Sequence, residues 1–305
     1  MKNKNWLLIS EFGFGYFVKL SYYTLLYKLT KKQKYMEKKF ALKLKVLNKN
    51  YSNILTEEGS YENLNKDCNT WIFWWQGAKS EKPKIVETCI NSMLKNQKNV
   101  VIIDKDNYAD YVDIPDYIMQ KVNDGIITLT HFSDIIRVSL LSKYGGIYLD
   151  ATIFMIKPLI EPFDYPFYAN KLPYDARFDI FVSKTNWSAF FLAGCANNPI
   201  FNNLKNLFFE YWKTHNVMID YFLIDYGIKM QYDVLPKIKE LIDNVPENNF
   251  NLHNMFDNLF LPYDENKWQA LQERTNIFKL SYKYDKELEN KENTLFQHIT
   301  KNKEL

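Results

Sequence analysis

Between residues 71 and 150 the chain alternates short apolar runs with segments whose apolar residues recur every three or four positions. The run WIFWWQG (71–77) is apolar, aromatic and ended by a glycine, the pattern of a strand covered on both faces. KPKIVETCINSMLKNQ (82–97) then places Ile85, Cys89 and Met93 at helical spacing, with Pro83 near its start. NVVIID (99–104) reads as a second buried strand, and DIPDYIMQKVNDG (113–125) as a short helix stopped by glycine. After IITLT (126–130) the spacing predicts a helix from about Ser133 to Lys143, a glycine pair, and a strand from about Ile147. This rhythm predicts an α/β fold with a mostly parallel central sheet flanked by helices. Ligands of such sheets bind at the carboxyl ends of the strands, where Gly77, Asp104 and Asp150 fall.

The flanks differ. Residues 6–29 are rich in apolar and aromatic residues and run into a lysine-rich stretch. Glu11 and Lys19 interrupt the apolar run and Gly13 and Gly15 weaken it, so it does not read as a transmembrane helix. It also lacks the small-residue cleavage site of a secretory signal. Residues 6–45 are expected either to pack on the core or to make peripheral contact with an anionic membrane. Residues 48–67 are polar and read as a linker. The expected division is a helical N-terminal appendage and linker over 1–67 and a catalytic domain over 68–305. Beyond 160, prolines mark a loop-rich connection, followed by helical patterns at 198–215 and 219–245.

Composition narrows the picture modestly. Hydrophobic residues at 47% and charged residues at 25% are globular values, and a formal charge of +3 is too small to imply a nucleic-acid partner. Cys68, Cys89 and Cys195 are odd in number and form no metal or disulfide pattern, which suits a reducing cytoplasm.

The segment SDIIRVSLLSKYGGIYLDATIF (133–154) carries the candidate chemistry. Asp134 and Arg137 stand three residues apart on one helix face, amid apolar neighbours, and a buried charge pair is costly unless well satisfied and is poor evidence for stability. On the following strand Tyr148, Asp150 and Thr152 share one face while Ile147, Leu149 and Ala151 share the other. Gly145 and Gly146 let the backbone turn tightly or let a ligand approach closely. Carboxylates accept hydrogen bonds from sugar hydroxyls and arginine binds phosphate, so the group suits a polyol joined to a diphosphate.

These residues resemble the signature of glycosyltransferase family 32 and its relatives, the capsular-polysaccharide-synthesis and DXD-type sugar transferases: Ser-Asp-x-x-Arg, then Tyr-Gly-Gly-x-Tyr-x-Asp. The resemblance covers residues 70–160 well and extends more weakly to about 285. It implies a GT-A type, Rossmann-like fold, a UDP- or GDP-sugar donor, and a polysaccharide or lipid-linked acceptor. The implied reaction is bacterial-type sugar transfer with retention of configuration, in the cytoplasm or at the inner face of the plasma membrane. By the same resemblance Trp75 stacks on the nucleobase, Asp134 and Arg137 hold the donor, and Tyr148 and Asp150 begin the DXD region. Asp134, Arg137 and Asp150 are the catalytic candidates. Thr152 stands where the second acid is usual, which argues against a tightly held Mn²⁺ or Mg²⁺ without removing that option. Asp150 and a late His298 are the candidate metal ligands. Lys279 and Lys283 are candidates for charge stabilisation, and Asp220 and Asp225 for the acceptor side. The alternative is a non-catalytic nucleotide-sugar or glycan-binding relative with a degenerate motif. Alanine at Arg137 or Asp150 is expected to abolish transfer with the fold intact.

Overall fold

The computed structural model describes residues 4–77 and 79–301; residues 1–3, 78 and 302–305 of the two expected domains lie outside the described residues. Three helices come first, α1 (Lys4–Phe12), α2 (Phe14–Thr30) and α3 (Gln33–Tyr51). The α/β alternation follows: β1 (Thr70–Phe73), α4 (Lys84–Asn96), β2 (Val100–Ile103), α5 (Tyr108–Tyr111), α6 (Asp116–Asn123), α7 (Leu129–Tyr144) and β3 (Gly146–Asp150). Next are the short strands β4 (Ile153–Met155), β5 (Phe167–Ala169) and β6 (Phe191–Gly194). The C-terminal third holds α8 (Pro199–Thr214), α9 (Leu223–Val234), α10 (Pro236–Asp243), α11 (Asn254–Asn258), α12 (Glu265–Gln272), β7 (Ile277–Lys279) and α13 (Leu295–Lys301).

The central sheet has the order β2-β1-β3-β6-β5. β1 pairs in parallel with β2 and β3, whereas β6 runs antiparallel to both β3 and β5. Four strands therefore share a direction and β6 alone is reversed, giving the expected mostly parallel sheet. α7 packs on β1 and β3, α8 on α7, and α9 on α8. α7 begins four residues before the expected start because Thr128 caps it, its side chain accepting from the His131 amide at 3.3 Å. β3 ends at Asp150, so Thr152 lies in the turn to β4 rather than on the same strand face.

The glycine pair serves chain packing rather than ligand approach. Gly145 (φ 65) and Gly146 (φ 108) occupy the left-handed half of backbone space. A Cβ at Gly146 would lie 2.4 Å from the Asn69 carbonyl, and one at Gly145 would lie 2.4 Å from the Ala196 amide. Buried Trp71 seals the junction, its indole N–H donating to the Gly145 carbonyl at 2.8 Å. β3 is thus pressed between β1 and β6, which fixes the height at which Asp150 emerges.

The N-terminal helices pack on this core. α3 lies on α9, Lys43 forms an ion pair with Asp220, and the Glu11 carboxylate meets His215 Nδ1 at 3.1 Å and the Asn216 amide at 2.9 Å. The polar stretch after α3 also lies on the core: the Asn203 side chain exchanges hydrogen bonds of 3.0 and 2.8 Å with the Thr56 backbone.

Candidate active site

Asp150, the last residue of β3, stands between two cations. Its Oδ1 accepts from Arg137 Nη2 at 2.8 Å and its Oδ2 from Lys279 Nζ at 2.7 Å. The same ammonium donates to Thr152 Oγ1 at 2.6 Å. Burial alone would raise the Asp150 carboxyl, but the Lys279 ammonium and then the Arg137 guanidinium outweigh it and hold the group below the usual carboxylate range. Its side chain keeps 28% of its surface, so the group is framed by protein but reachable from the cleft.

Arg137 is locked from all sides. The helix brings Asp134 Oδ1 to 3.3 Å from Nη1, the Ala189 carbonyl also accepts from Nη1, and the guanidinium lies 4.3 Å above the Tyr148 ring. Its Nε is buried with no partner among the described residues. Asp134 is set in turn by His131, whose Nδ1 lies 3.3 Å from Asp134 Oδ2. The Trp212 indole N–H, which can only donate, reaches His131 Nε2 at 2.9 Å, so the ring carries its proton on Nδ1 and donates to Asp134. His131 and Trp212 were not legible as site residues; their apolar surroundings read simply as core.

These groups floor a cleft with two lobes that meet at Ser133, Asp150 and Lys279. The larger lobe, about 630 Å³, is walled by Trp74, Trp75, Tyr148 and Tyr282. Trp75 packs on Phe73 and edge-on to Phe132, and the buried Trp74 indole N–H has no partner among the described residues. The smaller lobe, about 360 Å³, is walled by Phe181, Trp187, Phe190, Tyr221, Phe222 and Asp225. Both volumes fall in the range of sites for small organic ligands.

The two acidic acceptor-side candidates part company. Asp225 is buried in the smaller lobe, accepts from Trp187 Nε1 at 3.0 Å, and has its carboxyl pushed up to about 7, by desolvation first and then by Asp134. Asp220 instead pairs with Lys43 and caps the Phe222 amide at 2.8 Å, a tie to the N-terminal helices outside the two lobes. His298 does not line the cleft either; it stacks on Tyr263 with ring centroids 3.8 Å apart. Asp104 accepts from the Asp106 and Asn107 amides at 2.9 and 3.2 Å and thereby closes the turn after β2. Lys283 is exposed and lines the larger lobe.

The donor set does not fit a resident Mn²⁺ or Mg²⁺. A hard divalent ion takes about six oxygen ligands and favours carboxylates. Here both oxygens of Asp150 are engaged by cations, Thr152 offers a neutral hydroxyl already bonded to an ammonium, and His298 lies elsewhere. Among the described residues no three His, Cys, Asp or Glu side chains are grouped to hold a metal.

Comparisons with known proteins bear on this arrangement. The family model described as capsular polysaccharide synthesis protein matches residues 23–299. The O-glycosyltransferase braB of Annulohypoxylon truncatum is 30% identical over 104 residues, covering 31% of this chain and 25% of its own length. The chain thus spans about a quarter of that curated relative. Among solved structures, PaToxG glycosyltransferase aligns at 18% identity over 86% of this chain and 94% of its own, with a TM-score of 0.39. The apo WbbM bifunctional glycosyltransferase aligns at 11% identity over 81% of this chain and 51% of its own, with a TM-score of 0.42.

Proposed function

The chain belongs to the capsular polysaccharide synthesis protein family, and from that premise we propose that it transfers a sugar from a UDP- or GDP-sugar to a polysaccharide or lipid-linked acceptor, with retention of configuration. The observation that carries this reading is Asp150 at the end of a parallel-sheet strand, flanked by Arg137 and Lys279 and facing an aromatic-walled cleft. The larger lobe suits the nucleotide, with Trp75 against the base; the smaller lobe, with Asp225, suits the acceptor. Residues 68–305 are assigned as the GT-A type catalytic domain and 1–67 as its helical appendage.

In the reaction the bond from the anomeric carbon to the diphosphate oxygen breaks, and its electron pair leaves on the diphosphate. The acceptor hydroxyl oxygen bonds to the same face of that carbon, and its proton passes to the departing diphosphate. Fixed charges set before reaction stabilise such a leaving group without reorganisation. Asp134, held by His131 and Arg137, is placed to receive sugar hydroxyls. A thermal-shift panel of UDP- and GDP-sugars, followed by assay of the stabilising donor for turnover, tests the reading. The donor is expected to raise apparent stability by about 2.7 kcal/mol at a hundredfold excess over Kd. A panel with no stabilising donor would refute the proposal, and binding without turnover would favour a non-catalytic nucleotide-sugar binder.

The same reading places the enzyme in the cytoplasm, at the inner face of the plasma membrane, and α2 supports that location. Phe14, Val18, Tyr22, Leu25 and Leu29 recur at helical spacing and are all exposed, with Leu29 72% exposed, while Tyr16 is buried on the opposite side. An apolar stripe left facing water marks an interaction surface. Exposed Lys19, Lys28, Lys31 and Lys32 accompany it, the composition of a helix lying in an anionic lipid interface. None of the described helices is long and apolar enough to cross a membrane. The protein is expected to co-sediment with phosphatidylglycerol vesicles at low salt, and the double substitution Leu25→Glu, Leu29→Glu is expected to weaken binding at least about tenfold. Unchanged sedimentation of that variant would remove α2 from the contact.

A further inference from the structure

Resting on the reading of the cleft as a nucleotide-sugar site, we propose that the Lys279 ammonium takes the place of a divalent cation, supplying to the donor's diphosphate the positive charge that a metal would otherwise bring. Three observations converge on this residue.

The backbone puts Lys279 there irrespective of its rotamer. β7 pairs antiparallel with β4 so that Lys279 is opposite Ile153, and the Leu280 amide donates to the Thr152 carbonyl at 2.9 Å. The lysine is therefore tethered beside the turn that follows Asp150.

Its partners suit an ammonium and not a metal. Nζ lies 2.7 Å from Asp150 Oδ2 and 2.6 Å from Thr152 Oγ1. A hydroxyl is a good acceptor for an N–H but a weak ligand for a divalent ion, whereas a second carboxylate would serve either. Two positive centres on one Asp150 oxygen would repel each other. Thr152 and Lys279 are thus a matched pair: the residue that spoils the metal site is the one the lysine uses.

Lys279 also retains capacity for a ligand. An ammonium has three N–H donors, and two are engaged with protein oxygens, leaving one for a phosphate oxygen. Its side chain is 21% exposed and lines both lobes of the cleft, over the Phe190 ring at 5.0 Å. Arg137, at 4% side-chain exposure and held by two carboxylates and a carbonyl, has far less freedom to turn to a ligand. A purely structural lysine would tie β7 to β3 and have no effect on phosphate affinity, which gives the test its contrast.

The experiment is calorimetric titration of the full chain with UDP and GDP, each in EDTA and in Mn²⁺, with uridine and guanosine as phosphate-free probes. At least one diphosphate is expected to bind the wild type in EDTA, with affinity changing less than about threefold on adding Mn²⁺. Lys279→Gln is expected to weaken that diphosphate about tenfold or more while leaving the nucleoside unaffected, and Lys279→Arg to restore most of the loss. Melting curves of the unliganded variants separate lost contact from lost fold, and the wild-type EDTA arm needs no variant. A folded Lys279→Gln protein that binds the diphosphate as tightly as the wild type overturns the proposal. So does a wild type that binds it only with Mn²⁺, a result that leaves the transferase reading standing. Failure of both diphosphates under both conditions would bring down the reading of the cleft together with this proposal.

Discussion

Asparagine at Asp150 is expected to lower sugar transfer about a hundredfold or more while the protein remains folded, measured as product formation with the donor identified by thermal shift. The carboxylate organises both site cations: Arg137 Nη2 at 2.8 Å and Lys279 Nζ at 2.7 Å. Asparagine keeps its size and some acceptor capacity but loses the charge that holds them apart and in place. Mispositioned electrostatic groups at a reacting centre typically cost a hundredfold to a thousandfold in rate. Alanine at the same position is a harsher test, because it leaves a buried guanidinium facing an ammonium. Alanine at Arg137 is harsher again. That side chain is buried against Asp134, Asp150 and the Ala189 carbonyl, and removing one partner of a buried ion pair costs about 3–5 kcal/mol. The sequence-based expectation that Arg137→Ala spares the fold is therefore revised: activity and stability fall together, and only the Asp150→Asn variant separates them. Near-wild-type transfer by that variant would remove Asp150 from the mechanism.

The second large effect is on stability and comes from Asp225. Its carboxyl is buried in the smaller lobe and pushed up to about 7, against 3.8 when unfolded, because desolvation penalises the anion. Between those values the folded chain holds a proton that the unfolded chain has released. Stability therefore falls as pH rises through that window, by at most about 1.4 kcal/mol per unit and roughly 4 kcal/mol in all. Asp225→Asn can still accept from Trp187 Nε1 and does not titrate. Urea denaturation is expected to find the two proteins alike near pH 4 and the asparagine variant more stable by a few kcal/mol at pH 8. A difference that stays flat between those pH values would mean that Asp225 is not held protonated by the fold.

What the sequence made legible followed from local periodicity. Asp134 and Arg137 at i and i+3, and Tyr148 and Asp150 two apart on a strand, are placed by helix and strand geometry alone, and the structure brings all four to one cleft. The strands β1 and β2 were equally plain, being continuous apolar runs closed by a glycine and an aspartate. Lys279 was visible only as one of two lysines in a late segment. It lies 129 residues from Asp150, and what joins them is a three-residue strand pairing with another three-residue strand. Segments that short carry almost no periodic signal. β5, likewise three residues long, escaped notice for the same reason, hidden among prolines and aromatics. Asp220 and Asp225 look alike in sequence, two acids in an apolar run. They differ because α9 begins at Leu223, which turns Asp225 into the cleft and leaves Asp220 on the approach to the helix, beside Lys43. Thr152 looked like a loss from the motif until Lys279 gave its hydroxyl a partner.

The clasp between the N-terminal helices and the core has a consequence for how such chains can be recombined. Glu11 and Lys43 hold the segment that carries His215, Asn216 and Asp220, and that segment leads directly into Tyr221, Phe222 and Asp225 of the smaller lobe. A hybrid that took its first fifty residues from one relative and the remainder from another would bring together two halves of a lock cut to different keys. The wall of the smaller lobe would then inherit the mismatch, even with every residue of the larger lobe untouched. An exchange between relatives that keeps the smaller lobe intact should therefore move residues 4–51 and 215–225 as one unit.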